Sequence, residues 1–227
     1  MLAFRAAVAA GVDYIETDVH SSSDGVAVLS HDADLRRLAG IDKRVDELTF
    51  AELSNLDLGR GEGFCSLDDA LGEFAVIRFN IDIKAQDAVE PTVRAIREAG
   101  AVDRVLVTSF NEGRRSAAAR ALPGVASSAS AGRFVPALLA GKLGMTGVMK
   151  LALRGLVAVQ VPERGLGMRI TTPRIVRQLH ALGVEMHVWT VNDPGRMREL
   201  LELGIDGLVT DRADLALAVV EEFRNQH

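Results

Sequence analysis

Tyr14-Ile15-Glu16-Thr17-Asp18-Val19-His20 is the stretch on which the fold turns. In an extended chain Ile15, Thr17 and Val19 fall on one face, and Glu16, Asp18 and His20 on the other. A second stretch, Phe79-Asn80-Ile81-Asp82-Ile83-Lys84, repeats the pattern and sets Asn80, Asp82 and Lys84 opposite Ile81 and Ile83. A parallel strand covered on both faces reads as apolar throughout. Two strands with polar faces are therefore the place to look for chemistry. Three carboxylates converging from two strand ends repel one another unless a cation sits among them. A hard divalent cation with oxygen ligands is the simplest partner, and Lys84 is placed to hold an anion nearby. The same spacing also suits a salt-bridge cluster of Lys84 with one or two of the carboxylates, and spacing alone leaves both open.

Outward from these two stretches, short apolar runs alternate with helical patterns. The runs are Tyr14–Val19, Val76–Ile83, Val105–Thr108, Val125–Ser128, Val157–Val161, Val184–Thr190 and Gly207–Thr210. Between most of them lie helical stretches such as 88–99, 112–121, 173–182, 194–203 and 213–223, with apolar residues at three- and four-residue steps. Pro173 and Pro194 suit the first helical turn after Thr172 and Asp193 as caps. Gly100, Gly183 and Gly204 fall where a left-handed residue ends a helix. Strands alternating with helices build βαβ units and a parallel sheet. The pattern predicts an α/β fold, a TIM (β/α)8 barrel, with an open doubly wound sheet as the alternative. A barrel takes roughly 250 residues, and the shortfall of about one strand lies at the N-terminus.

Composition narrows the function. With 227 residues, 48% hydrophobic and 25% charged, the chain is able to bury roughly 70% of its unfolded surface, as one domain over 1–227. The net charge of −5 excludes a general nucleic-acid surface. The single cysteine, Cys65, excludes an intrachain disulfide framework and a multi-cysteine zinc site, and it reads as an inert small residue. No run is long and apolar enough for a transmembrane segment, and no signal-peptide core is recognisable. The expected compartment is the cytoplasm. The stretch 135–156 carries only Lys142, Lys150 and Arg154 as charges. It is able to make weak membrane-surface contact, although two ordinary barrel helices explain it as well.

Further candidates stand at strand ends. Ser30-His31-Asp32 follows a short strand after the Asp24-Gly25 turn. His31 there is either a surface group or an acid–base group near neutral pH. Trp189 is placed to wall a pocket beyond the strand that contains His187, or simply to pack in the core. Ser109, after Thr108, suits an anion site or a helix cap. Asp211 reads as a helix N-cap.

Together these runs resemble the glycerophosphodiester phosphodiesterase family. The resemblance rests on Gly11–Val19, Asp24–Asp32, Asn80–Lys84, Val188–Asn192 and Gly204–Asp211, in family order over nearly the whole chain. It implies a TIM barrel with a small insertion, here about 33–66. It also implies metal-dependent hydrolysis of glycerophosphodiesters to glycerol 3-phosphate and an alcohol, in lipid and glycerol metabolism. Glu16 and Asp18 match two family metal ligands. Asp82 stands where the family usually has the longer Glu. Lys84 matches a phosphate-side lysine, and His31 one of two catalytic histidines. The implied cofactor is Ca²⁺ or Mg²⁺, and the implied partner is a small-molecule glycerophosphodiester. The family's first strand, with His-Arg-Gly and a following Pro-Glu-Asn loop, has no counterpart in this sequence, which begins in the helix expected after them. The expectation is that the activity of the chain as given is doubtful. Two alternatives stay open: a catalytically inactive phosphodiester-binding barrel, and a related diesterase acting on lysophospholipids.

Overall fold

The computed structural model describes residues 1–165 and 167–226, grouped in two compact units. One comprises Met1–Val8 with Asp13–Ala126, the other Ala9–Val12 with Ser127–His227. Where the sequence suggests one domain, the chain falls into two compact units.

The first unit begins with α1 (Leu2–Ala10), β1 (Tyr14–Ser21), β2 (Ala27–Leu29), α2 (Arg36–Ala39), α3 (Phe50–Ser54) and α4 (Leu67–Glu73). It continues with β3 (Arg78–Ile83), α5 (Val89–Glu98), β4 (Val105–Thr108), α6 (Glu112–Ala121) and β5 (Ala126–Ser127). The sheet order is β2-β1-β3-β4-β5. β1, β3 and β4 run parallel, and β2 folds back antiparallel on the end of β1, with Val19 opposite Leu29 and Ser21 opposite Ala27. The alternation read in the sequence holds. Ile15, Val19, Ile81 and Ile83 enter the core with Phe79 and the helix residues Leu67, Leu71, Val93 and Ile96. Burying one such aliphatic side chain stabilises by about 1.5–3 kcal/mol relative to leaving it exposed. Phe4 of α1 packs edge-on against Phe74 and Phe79, with ring centroids 6.2 and 6.3 Å apart. β3 starts two residues later than its apolar run. Val76 is 91% exposed, in the turn that closes α4, and Arg104 ties that turn by donating to the carbonyls of Leu71, Phe74 and Ile77. The segment expected as an insertion has its own small core of Leu35, Val45, Leu48, Leu53 and Phe64 against Val28. Thr49 and Glu52 form a reciprocal cap on α3 there.

The second unit holds α7 (Ala131–Lys142), α8 (Thr146–Ala152), β6 (Ala158–Val161), β7 (Arg164–Gly165) and β8 (Met168–Arg169). It ends with α9 (Pro173–His180), β9 (Glu185–Val188), α10 (Pro194–Glu202), β10 (Gly207–Leu208) and α11 (Ala213–Gln226). β6, β9 and β10 are parallel in the order β10-β9-β6. Thr172 and Asp193 cap α9 and α10 as read, accepting from the backbone N–H of Ile175 and Arg196. Gly183 and Gly204 end those helices with φ of +70° and +89°. Asp211 departs from its expected cap role. α11 begins at Ala213, and the Asp211 carboxylate instead accepts from Asn192 Nδ2 at 2.9 Å. Among the described residues no helix is long and apolar enough to cross a membrane.

Candidate functional site

Parallel pairing of β1 with β3 sets Asp18 directly opposite Asp82, and Glu16 opposite Asn80. Pairing of β3 with β4 adds Thr108 beside Asp82. The polar faces of the two strands are thus in register, with both aspartates near the strand C-terminal ends. Lys84, just past β3, is anchored by its backbone N–H to Val19 O at 3.0 Å. Its ammonium lies across the aspartate pair, 2.7 Å from Asp18 Oδ1 and 2.6 Å from Asp82 Oδ2. The salt-bridge cluster admitted by the sequence spacing is therefore formed, and Lys84 is its cation. The other oxygen of Asp82, Oδ1, is buried without a hydrogen-bond partner.

The electrostatics follow from this crowding. Burial, then the Asp18 charge, pushes the Glu16 carboxyl up to about 7, with Lys84 pulling the other way. Glu16 is itself exposed to solvent, which tempers a rise that comes from the protein packed around it together with two like-charged neighbours. Burial also raises Asp18, although Lys84 opposes it. Burial works against the Lys84 ammonium, but its hydrogen bonds to Asp18 and Asp82 outweigh that, and its pKa is raised.

His31 arrives from β2. Ser30 N–H donates to Asp18 O at 3.0 Å, which brings the next residue to the rim of the aspartate pair. The imidazole is 70% exposed, and its Nδ1 lies 2.7 Å from Asp32 Oδ1. Arg37 Nε holds the other Asp32 oxygen at 2.5 Å. Asp32 is depressed, first by its bond to His31 and then by Arg37. An ionised Asp32 fixes the proton on Nδ1 and leaves Nε2 facing outward. Sequence reading passed over Asp32 and Arg37, although their positions one and six residues after His31 were visible. It placed His20 on the polar face without a role; burial lowers the His20 pKa, and its ring bonds the His31 backbone, which raises it.

Two expectations change. Ser109, expected to bind substrate, is 1% exposed. Its O–H donates to Ile83 O at 2.7 Å, and its oxygen accepts from Arg114 Nε at 3.0 Å, so it braces β3 to β4. Arg114 also donates to Lys84 O, fixing the loop that carries the ammonium. The residue that does reach outward is Phe110, 57% exposed, with Lys84 Nζ 5.8 Å from its ring centre. The second change concerns Glu16, Asp18 and Asp82. Among the described residues no three His, Cys, Asp or Glu side chains already stand in a metal-holding cluster; the Lys84 ammonium bridges Asp18 and Asp82. The donor chemistry nevertheless fits a hard cation. All three groups offer oxygens, one buried oxygen is orphaned, and two of the carboxyls are raised, first by burial and then by their like-charged neighbours. Trp189 belongs to the second unit. It follows β9, half-buried, with its backbone N–H on Val161 O at 3.1 Å.

Comparison with known proteins covers nearly the whole chain. The profile of the glycerophosphoryl diester phosphodiesterase family matches residues 1–215. A Mycobacterium tuberculosis protein named "Probable glycerophosphodiester phosphodiesterase 2" is 43% identical over 216 residues, spanning 95% of this chain and 82% of that one. Among solved structures, a glycerophosphodiester phosphodiesterase from Agrobacterium tumefaciens superposes with a TM-score of 0.77 at 23% identity, covering 96% of this chain and 90% of the other. An Oleispira antarctica phosphodiesterase, solved with the product sn-glycerol-3-phosphate, superposes with a TM-score of 0.78 at 20% identity over 96% and 89%.

Proposed function

The chain belongs to the glycerophosphoryl diester phosphodiesterase family, and from that membership we propose that the Asp18–Asp82–Lys84 layer is the centre at which its phosphodiester is cleaved. The fold class is the α/β TIM barrel of that family, and the enzyme is a hydrolase of glycerophosphodiesters that yields glycerol 3-phosphate and an alcohol. The finer assignments are our reading. Glu16, Asp18 and Asp82 are the residues that would hold a divalent cation, Ca²⁺ or Mg²⁺. Bound there, it would neutralise the carboxylates and polarise a phosphoryl oxygen.

The chain's own groups do the rest. Lys84 keeps its positive charge at the rim and attracts the phosphoryl oxygens. His31, held at Nδ1 by Asp32, moves a proton at Nε2 to or from the reacting oxygen. Phe110, exposed beside Lys84, offers apolar surface for the non-reacting part of a substrate. The observation that carries this reading is the in-register aspartate pair bridged by Lys84 with one buried oxygen left over.

The test is hydrolysis of glycerophosphocholine and glycerophosphoethanolamine by the full chain after chelation and after adding back Ca²⁺ or Mg²⁺. Glycerol 3-phosphate is expected only with the cation. Cation-independent turnover would remove the metal from the reading. Turnover confined to lysophospholipids would shift the substrate class.

A further inference from the structure

The second unit carries a surface that the phosphodiester site does not use. α7 buries Ala137, Leu138, Ala140 and Gly141, and α8 buries Met149. Their opposite sides are apolar as well. Leu139, Leu143, Met145, Val148 and Leu151 are all exposed, Leu143 by 75% and Leu151 by 69%. Leu139 and Leu143 are one helical turn apart on α7 and its end, Val148 and Leu151 are one turn apart on α8, and Met145 lies in the link between them. The exposed large apolar side chains described elsewhere are scattered: Leu2, Tyr14, Leu38, Val76, Phe110 and Val157. Scattered apolar residues are ordinary, whereas a contiguous patch marks an interaction surface.

The charge on α7 and α8 and in their link has one sign. The protein is acidic overall, with a net charge of −5, yet residues 113–162 contain no Asp or Glu. Lys150 and Arg154 stand exposed beside Leu151 and border a hollow of about 520 Å³ that Leu156 and Val184 also line. Lys142 closes α7, and the Arg174 guanidinium lies against Gly144 in the link, 3.2 Å from where a Cβ would stand. Glu185, next to this face at the start of β9, is occupied by His187 at 2.9 Å.

We propose that the α7–α8 face docks on an anionic lipid bilayer, with the exposed leucines, Met145 and Val148 at the acyl boundary and Lys142, Lys150, Arg154 and Arg174 on the headgroups. Apolar area and basic charge add in such binding. The absence of acidic residues over the whole stretch is what selects an anionic surface as the occupant.

The probe is a set of vesicles of phosphatidylcholine with and without phosphatidylglycerol, co-sedimented with the full chain. Binding is expected to the anionic vesicles, weakening with salt. Neutralising two basic residues, as in Lys150→Gln with Arg154→Gln, weakens binding about 30-fold. Leu143→Glu with Leu151→Glu abolishes it, while Val76→Glu, more exposed but outside the patch, leaves it unchanged. Should the leucine variant fail to fold, the basic pair decides alone. A wild-type chain that stays in the supernatant overturns the proposal. So does equal binding by the basic-pair variant, or a self-association in sedimentation velocity that Leu143→Glu dissolves, which would make a second copy the occupant.

Discussion

The layer that β1, β3 and β4 present differs in kind from the one that β6, β9 and β10 present. In the first unit the register lines up Asp18, Asp82 and Thr108, and one layer back Glu16, Asn80 and Leu106. In the second it lines up Gln160, His187 and Gly207. The first concentrates like charge, leaves a buried carboxylate oxygen unpaired and depends on Lys84 to hold it together. The second is filled by shape. The His187 ring occupies the space a side chain at Gly207 would need, and a Cβ there would meet its Cδ2 at 2.7 Å. Both are parallel strands with the same periodicity, so backbone architecture does not decide where chemistry happens. Unneutralised charge does: it costs stability, and it is the feature that a cation and a phosphate anion would exploit.

The largest effect that sharpens this contrast is at the aspartates. Asp18→Asn or Asp82→Asn is expected to lower kcat/KM by about 10²–10³-fold, the scale of removing one pre-set electrostatic group; steady-state assay of glycerol 3-phosphate release reads it. His31→Ala should follow with a loss of about 10²-fold. Asp32→Asn should cost less and alter the pH profile of kcat, because it removes the group that fixes the tautomer. An unchanged pH profile would make Asp32 a bystander.

In the second unit the expected effect is on folding. Gly207→Ala forces the His187 ring to move and should destabilise by about 1–3 kcal/mol in denaturant unfolding, which an unchanged midpoint would refute. The smallest effect is at Glu16. Its carboxyl is raised in the folded state to about 7 from 4.5, so the folded form holds the proton more tightly. Stability from this group is then present below about pH 4.5 and lost as pH rises toward 7. Glu16→Gln should therefore leave Tm alone at pH 4.5 and raise it slightly at pH 8. The opposite slope would mean that the like-charge crowding is not felt.

Much of the frame was legible because it is periodic. β4 and α6 fall on the stretches read for them, and the alternation in β1 and β3 names the residues of the polar face. The site was legible down to which side chains share a face, but no further. A two-residue spacing says that Asp82 and Lys84 point together. It does not say that the ammonium reaches back to span Asp18 as well, which depends on the register with β1. Ser109 was misjudged for a similar reason. What spends its hydroxyl is Ile83 O in the neighbouring strand and Arg114 in the first turn of α6, contacts that no local pattern announces. The apolar stretch 135–156 was visible, but its division into a buried and an exposed side follows from what packs against α7 and α8.

The claim that the aspartate pair is the cation site is tested most directly by calorimetric titration of the full chain with Ca²⁺. One site per chain is expected. It should be lost in Asp82→Asn and in Asp18→Asn, and retained when Asp46 and Asp87, which line a separate acidic hollow near Ser22, are changed to Asn. Binding that survives Asp82→Asn but disappears with the Asp46 and Asp87 changes would place the cation elsewhere and contradict the account.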